Sequence, residues 1–148
     1  MDILNLKVGE IIRSGEFHVV TQAKINEFAE ATGDNQWIHI DEGRCKLESP
    51  FKTTIAHGFL TLSLMPKFFG ENISVDANTT TLINYGLDTL RFIEPVRSND
   101  AIRYSFKLVS IEPKTMGDLY KFEGTVEIRD REKPALIGEF LSLVIKNR

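Results

Sequence analysis

The architecture of this protein follows from residues 55–70, "IAHGFLTLSLMPKFFG". They predict a helix from about Ala56 to Phe69, kinked or shortened near its end by Pro66. Large apolar side chains lie on nearly every side of this helix: Phe59, Leu60, Leu62, Leu64, Met65, Phe68 and Phe69. A helix that is apolar all round is surrounded by protein, and this one falls short of the about 20 residues that a bilayer span needs. We therefore expect a buried central helix and no membrane association.

Four long strands are predicted in the second half of the chain. In "AIRYSFKLVSI" (residues 101–111) and "LYKFEGTVEIRD" (residues 119–130), apolar and polar residues alternate. This period of two is typical of strands with one buried face. Two more strands are predicted in "TTTLINYGLDTLRFIEPV" (79–96) and "PALIGEFLSLVIK" (134–146). The connections are short, so the strands should form an antiparallel meander.

The first 50 residues predict smaller elements. Residues 7–20 indicate a short two-stranded element around the turn signal "RSGE". Thr21 is a candidate N-cap of a helix that runs to about residue 31 and is ended by Gly33. A second short helix is predicted in "DEGRCKLES", capped by Asp41 and ended before Pro50.

These elements predict one α+β domain over residues 1–148. An antiparallel sheet of about five or six strands has an apolar face, and the apolar helix needs covering. Wrapping the sheet around the helix satisfies both, which is the hot-dog arrangement. The final strand is very apolar for an exposed edge, so we expect a second protomer to pair with it or cover it. The predicted assembly is a homodimer formed through the sheet, with higher assemblies left open.

Composition excludes several classes of protein. Of 148 residues, 42% are hydrophobic and 26% are charged, which is typical of a globular protein. The net charge of -3 argues against a nucleic-acid partner. The single cysteine, Cys45, excludes an internal disulfide, and the N-terminus lacks the apolar core of a signal peptide, so we expect a cytoplasmic protein.

The candidate chemistry lies in "GDNQWIH", residues 33–39, where Asp34 and His39 are five positions apart. A carboxylate and an imidazole on one rigid turn can hold a water molecule, one accepting its proton while the other orients it. From these residues alone, an ordinary helix-ending turn is the favoured interpretation. Gly58 adds a second feature, because backbone N–H groups at the start of a helix can stabilise an oxyanion. Close packing of the helix start would also explain this glycine.

Three segments together resemble the MaoC-like dehydratases, the (R)-specific enoyl-CoA hydratase group of hot-dog proteins: "FAEATGDNQWIHID" (28–41), "PFKTTIAHGFLTLSL" (50–64) and "INYGLDTLRFIEPVRSND" (83–100). The resemblance covers roughly residues 8–148 and is greatest to the nodulation protein N-like branch. The family signature is approximately G-D-x-N-P-hydrophobic-H. Here Gln36 and Trp37 replace its Asn-Pro pair, and the bulky Trp37 is expected to reshape or narrow the acyl pocket.

The resemblance implies a reversible hydration of a trans-2-enoyl thioester to an (R)-3-hydroxyacyl thioester, carried on coenzyme A or on a carrier protein. Asp34 and His39 would activate the water, and the Gly58 N–H would polarise the thioester carbonyl. No metal, nicotinamide or flavin is implied. Neither a closely spaced set of His and Cys ligands nor a G-x-G-x-x-G motif after a strand is present.

Other residues are candidates for the substrate pocket: Gln36, Trp37, His57, Phe59, Asn84, Tyr85 and Gly86. Four basic residues are candidates for contacts with the phosphates of the carrier arm: Lys46, Lys52, Arg91 and Arg97. Two other functions compete with the hydratase. Many hot-dog thioesterases resemble one another in having a carboxylate on the central helix. Here the first acid after Gly58 is Glu71, beyond the end of that helix, which argues against a thioesterase. A protein that binds acyl thioesters without turnover would not need both Asp34 and His39.

Overall fold

The computed structural model describes all residues 1–148 and contains the predicted antiparallel sheet. Its strands are β1 (Ile11–Arg13), β2 (His18–Val19), β3 (Thr80–Phe92), β4 (Ala101–Pro113), β5 (Asp118–Ile128) and β6 (Leu136–Lys146). The spatial order is β1-β4-β5-β6-β3, and β2 also pairs with β4. All neighbouring strands are antiparallel. The four long strands are as the sequence predicts, and β4, β5 and β6 form a meander. The prediction that all four meander in sequence order was wrong, because β3 pairs with β6 and not with β4.

The helices lie mainly between β2 and β3. They are α1 (Gln22–Thr32), α2 (Trp37–Ile40), α3 (Glu42–Glu48), α4 (Gly58–Ser63) and α5 (Met65–Phe69), with a short 3-10 turn at Ile3–Asn5. The hydroxyl of Thr21 caps α1, Gly33 ends it in the left-handed conformation, and the Asp41 carboxylate caps α3, all as predicted. The single turn α2 was not predicted. No helix is both long enough and apolar enough to cross a bilayer.

The predicted central helix is shorter than expected and divided in two. It begins at Gly58 rather than Ala56, and Leu64 separates α4 from α5. Pro66 has no N–H to donate to the preceding turn, which explains the interruption.

Two further expectations about strand pairing were wrong. The N-terminal strands do not pair with each other, because both pair with β4. They have three and two residues, too few to form a stable hairpin, whereas the 13-residue β4 offers a long partner. The final strand is not an edge, since β6 lies between β5 and β3. The long edge strand is instead β3, most of whose residues are exposed.

The core lies between the apolar face of the sheet and the divided central helix. The ring of Phe68 stacks on that of Tyr104, with ring centroids 4.7 Å apart. Phe69 makes edge contacts with Phe106 and Phe122. The buried hydroxyl of Tyr104 donates a hydrogen bond to the carbonyl of Thr61 at 2.5 Å, which links α4 to β4. Burial raises the pKa of Tyr104, so this hydroxyl remains a donor.

Candidate active site

The loop after α1 carries the candidate acid. Gly33 has a positive φ of 80°, which turns the chain away from the helix and presents Asp34. The Asp34 side chain is exposed, and its Oδ1 accepts a long hydrogen bond of 3.4 Å from the N–H of Gln36. The acid is therefore open to solvent and to a ligand.

The candidate base, His39, lies on α2 and is buried, with 7% of its surface exposed. Its Nδ1 lies 2.7 Å from the carbonyl oxygen of Ile55. Because a carbonyl only accepts, Nδ1 carries the proton of the neutral ring and Nε2 is left as the acceptor. Burial is the main cause that lowers the pKa of His39, while the Ile55 hydrogen bond and the nearby Asp34 oppose this shift. His39 is thus held as a neutral base.

Backbone contacts fix α2 against the chain that enters the central helix. The N–H of Ile55 donates to the carbonyl of Ile38 at 3.0 Å, next to the His39 ring contact. The side chain of Gln22, on α1, donates to the carbonyl of His39 at 2.7 Å. His39 is therefore held through its ring and through its backbone by two segments that are distant in sequence.

The structure brings a second histidine to the same place. His57 precedes α4, is 3% exposed and stacks on His39, with ring centroids 3.8 Å apart and an interplanar angle of 23°. One side-chain oxygen or nitrogen from each of Asp34, His39 and His57 lies within 4.8 Å of the others. A carboxylate oxygen and two imidazole nitrogens could also hold a metal ion. One ring nitrogen of each histidine, however, lies against a carbonyl oxygen.

Gly58 begins α4 directly beside these imidazoles. N–H groups in the first turn of a helix lack partners within the helix, so they are available to a ligand. A Cβ at this position would come within 2.9 Å of the Phe92 ring, which explains why a glycine is needed here. Gly58 thus packs closely against Phe92 and also lines the space beside the two imidazoles.

Two cavities meet at this point. The larger, about 370 Å³, is mostly apolar and extends towards the end of β3, where Phe92 and Ile93 contribute to its wall. The smaller, about 270 Å³, is bounded by Phe28, Thr32, Asp34, His39, His57, Gly58 and Phe59. His39, Gly58 and Phe59 line both cavities. A molecule could thus place a reactive atom at His39 and an apolar chain in the larger cavity.

The other predicted pocket residues lie elsewhere. Gln36 and Trp37 line neither cavity, and the Trp37 ring packs against the Arg44 guanidinium, 4.0 Å from its carbon. The register of the edge strand β3 shifts between Asn84 and Gly86. These two residues and Tyr85 also line neither cavity. The four basic residues proposed for phosphate contacts likewise lie outside both walls.

Sequence reasoning missed three features of the site: the Ile55 carbonyl that holds His39, and the rings of Phe28 and Phe92. No residue type in a sequence marks a backbone carbonyl as a hydrogen-bond acceptor. Phe92 comes close to Gly58 only once the sheet has formed.

Comparison with known proteins places the chain in a family. The model of the MaoC-like domain family matches residues 7–129. The 3-hydroxyacyl-thioester dehydratase Z of Mycobacterium tuberculosis is 39% identical over 132 residues, covering 88% of this chain and 86% of that protein. Nodulation protein N of Rhizobium leguminosarum bv. viciae is 37% identical over 139 residues, covering 93% of this chain and 86% of that protein. The unliganded R-hydratase PhaJ1 of Pseudomonas aeruginosa has a TM-score of 0.77 at 22% identity, covering 98% of this chain and 90% of that chain.

The chain belongs to the MaoC-like domain family and has the hot-dog fold. The family predicted from the sequence is thereby confirmed, and the matches support hydratase or dehydratase chemistry.

Proposed function

We propose that this protein catalyses the reversible hydration of a trans-2-enoyl thioester to an (R)-3-hydroxyacyl thioester. The observation that carries the proposal is the position of Asp34 and of the free Nε2 of His39 beside the start of α4. The relative named as a 3-hydroxyacyl-thioester dehydratase supports the substrate class. Coenzyme A or a carrier protein would supply the thioester.

The geometry of the site supports the following steps. The Gly58 N–H donates to the thioester oxygen, so that negative charge accumulates there as the β-carbon is attacked. The Asp34 carboxylate and the His39 Nε2 accept the two hydrogens of the water. One of them takes a proton as the water oxygen bonds to the β-carbon, and this proton is then delivered to the α-carbon from the same side. The reverse sequence eliminates water.

The larger cavity fits the acyl chain of such a substrate. Eight of its 13 lining residues are hydrophobic, and it opens directly at Gly58 and His39. No acidic residue lies on α4 or α5, so these helices lack the carboxylate that would favour a thioesterase.

We also propose that the protein is a homodimer formed through β3. This edge strand exposes several large apolar residues: Ile83, Tyr85, Leu87 and Phe92. An exposed, apolar strand edge favours pairing with another chain. Phe92 lies at the end of this strand and also in the wall of the larger cavity, so the second copy would lie close to the substrate site.

The hydratase is tested by the loss of enoyl absorbance when the purified protein is mixed with crotonyl-CoA or a longer trans-2-enoyl-CoA. Wild-type protein should consume the substrate. Asp34→Asn should lower kcat/KM by about two orders of magnitude or more, because it removes a group that handles the proton. An active Asp34→Asn variant would contradict the role of this acid.

The competing binding function has its own result. Absence of turnover on both substrates, together with a thermal shift in the presence of acyl-pantetheine, would indicate a protein that binds the thioester without reacting.

A further inference from the structure

His57 makes the hydrogen bond that joins the loop of Asp34, residues 33–36, to a distant part of the chain. Its Nε2 lies 2.9 Å from the backbone carbonyl oxygen of Asp34, 23 positions away. The other hydrogen bonds of residues 33–36 are to close neighbours in sequence, and two of them are long, at 3.4 Å. The contact involves the backbone of Asp34, so it holds the loop and leaves the carboxylate free.

The same imidazole also supports the His39 ring. One face of His57 lies against His39, and Phe28 packs on His57 with ring centroids 4.9 Å apart. With Nδ1 of His39 bound to Ile55, the stack restrains the ring from a second direction. The orientation of the His39 Nε2 therefore depends on both contacts.

Neither helix capping nor simple packing explains His57. It occupies the N-cap position of α4, yet its side chain makes no capping hydrogen bond. Because Nε2 donates to a carbonyl, Nδ1 is left as an acceptor, and this buried atom has no hydrogen-bond partner. A buried, unpaired polar atom is destabilising, so an apolar ring would serve packing better.

We propose that His57 is a positioning residue that holds Asp34 and His39 in register with the Gly58 N–H. It does this through the hydrogen bond to the Asp34 carbonyl and the stack on His39, while its own backbone leads directly into Gly58. It does not exchange a proton with substrate. The reaction that it serves rests on the proposed hydratase function, whereas the order that it imposes on the loop can be measured without substrate.

Two substitutions separate the two contacts. His57→Phe keeps a flat ring against His39 but removes the donor to Asp34. His57→Gln keeps an N–H donor at about the position of Nε2 but removes the ring. His18→Phe is the matched control, because His18 also has a buried, unpaired Nε2 but lies on β2 and lines neither cavity. Circular dichroism and thermal melting establish that each variant is folded.

The loop has its own spectroscopic probe, because Trp37 is the only tryptophan and lies three positions after Asp34. Acrylamide quenching of Trp37 should increase in His57→Phe, and the titration of His39 followed by NMR should shift. Both should stay near wild type in His18→Phe. Acrylamide should quench Trp37 less in His57→Gln than in His57→Phe, because His57→Gln retains the hydrogen bond to the loop.

Turnover of an enoyl-CoA supplies the second readout. We expect His57→Phe to lower kcat by about 10- to 100-fold with little change in KM, because misplaced groups slow the chemical step. His57→Gln should recover part of this loss. Wild-type quenching and wild-type kcat in His57→Phe would show that the residue only fills space. A lower kcat with unchanged Trp37 quenching and His39 titration would also overturn the proposal, since His57 would then act on substrate directly.

Failure of the hydratase proposal would be recognised separately. If wild-type protein does not consume enoyl-CoA, the reaction assignment is wrong. Quenching and titration of the His57 variants would still decide whether this residue orders the loop.

Discussion

At the scale of the residue, the protonation of His39 links structure to activity. The ring is buried, its Nδ1–H is held by Ile55, and burial lowers its pKa below the ordinary value of 6.5. Protonation would place a charge in a poorly solvated position beside a second imidazole. The arrangement therefore keeps Nε2 available as an acceptor at neutral pH and somewhat below it.

This predicts the pH dependence of turnover. Since the neutral form of His39 is the base in the proposed reaction, kcat/KM should stay high as the pH falls through 6.5 and decline only at lower pH. The measurement is kcat/KM for an enoyl-CoA from about pH 5 to about pH 8. A decline centred at or above pH 6.5 would contradict a neutral, desolvated base.

At the scale of the element, the interruption of the central helix is stabilised by the sheet. The break at Leu64 leaves carbonyl groups of α4 without N–H partners in a following turn. The hydroxyl of Tyr104 on β4 donates to one of them, that of Thr61. Thr61 itself lines the larger cavity. One hydrogen bond thus connects the helix that lines the larger cavity to the sheet.

Tyr104→Phe tests this connection. Removing the hydroxyl leaves the buried Thr61 carbonyl unpaired, which should lower the free energy of unfolding by about 1–3 kcal/mol. Urea denaturation measures the difference. The control is Tyr120→Phe, since Tyr120 is also buried, at 4% exposure, but makes no side-chain hydrogen bond in the structure. Equal losses in the two variants would show that the Tyr104 hydroxyl has no special role.

At the scale of the whole molecule, the sheet has one long edge that its own chain does not pair. β6 pairs with both β5 and β3, whereas β3 pairs only with β6. A 13-residue edge bearing exposed apolar side chains is the kind of surface that proteins cover. This is the structural basis for the proposed dimer.

Size-exclusion chromatography with light scattering tests the assembly. Wild-type protein should have twice the mass of one chain. The double substitution Ile83→Lys and Leu87→Lys should yield monomers, because charged residues on an edge strand oppose pairing. The matched control is Leu47→Lys, an exposed apolar residue on α3, which should leave the dimer intact. A monomeric wild-type protein would overturn the proposal.

Local sequence was sufficient for the elements. The alternation in β4 and β5, the Thr21 and Asp41 caps and the Gly33 terminator depend on neighbouring residues alone, and the structure contains them all. Pro66 likewise indicated where the central helix would be disturbed. The candidate pair Asp34 and His39 lies within one short loop and turn, so its proximity was also a local property.

Long-range contacts decided the rest. Pairing of β1 and β2 with β4, and the central place of β6, depend on competition among whole strands, which no short pattern records. The stack of His57 on His39, the Ile55 carbonyl and the contact of Phe92 with Gly58 join segments that meet only after folding. The sequence by itself determined most of the elements and the candidate pair, because these depend on neighbouring residues, and a resemblance over nearly the whole chain indicated the family. Only the tertiary structure decided the strand order, the free edge and the surroundings of the two imidazoles.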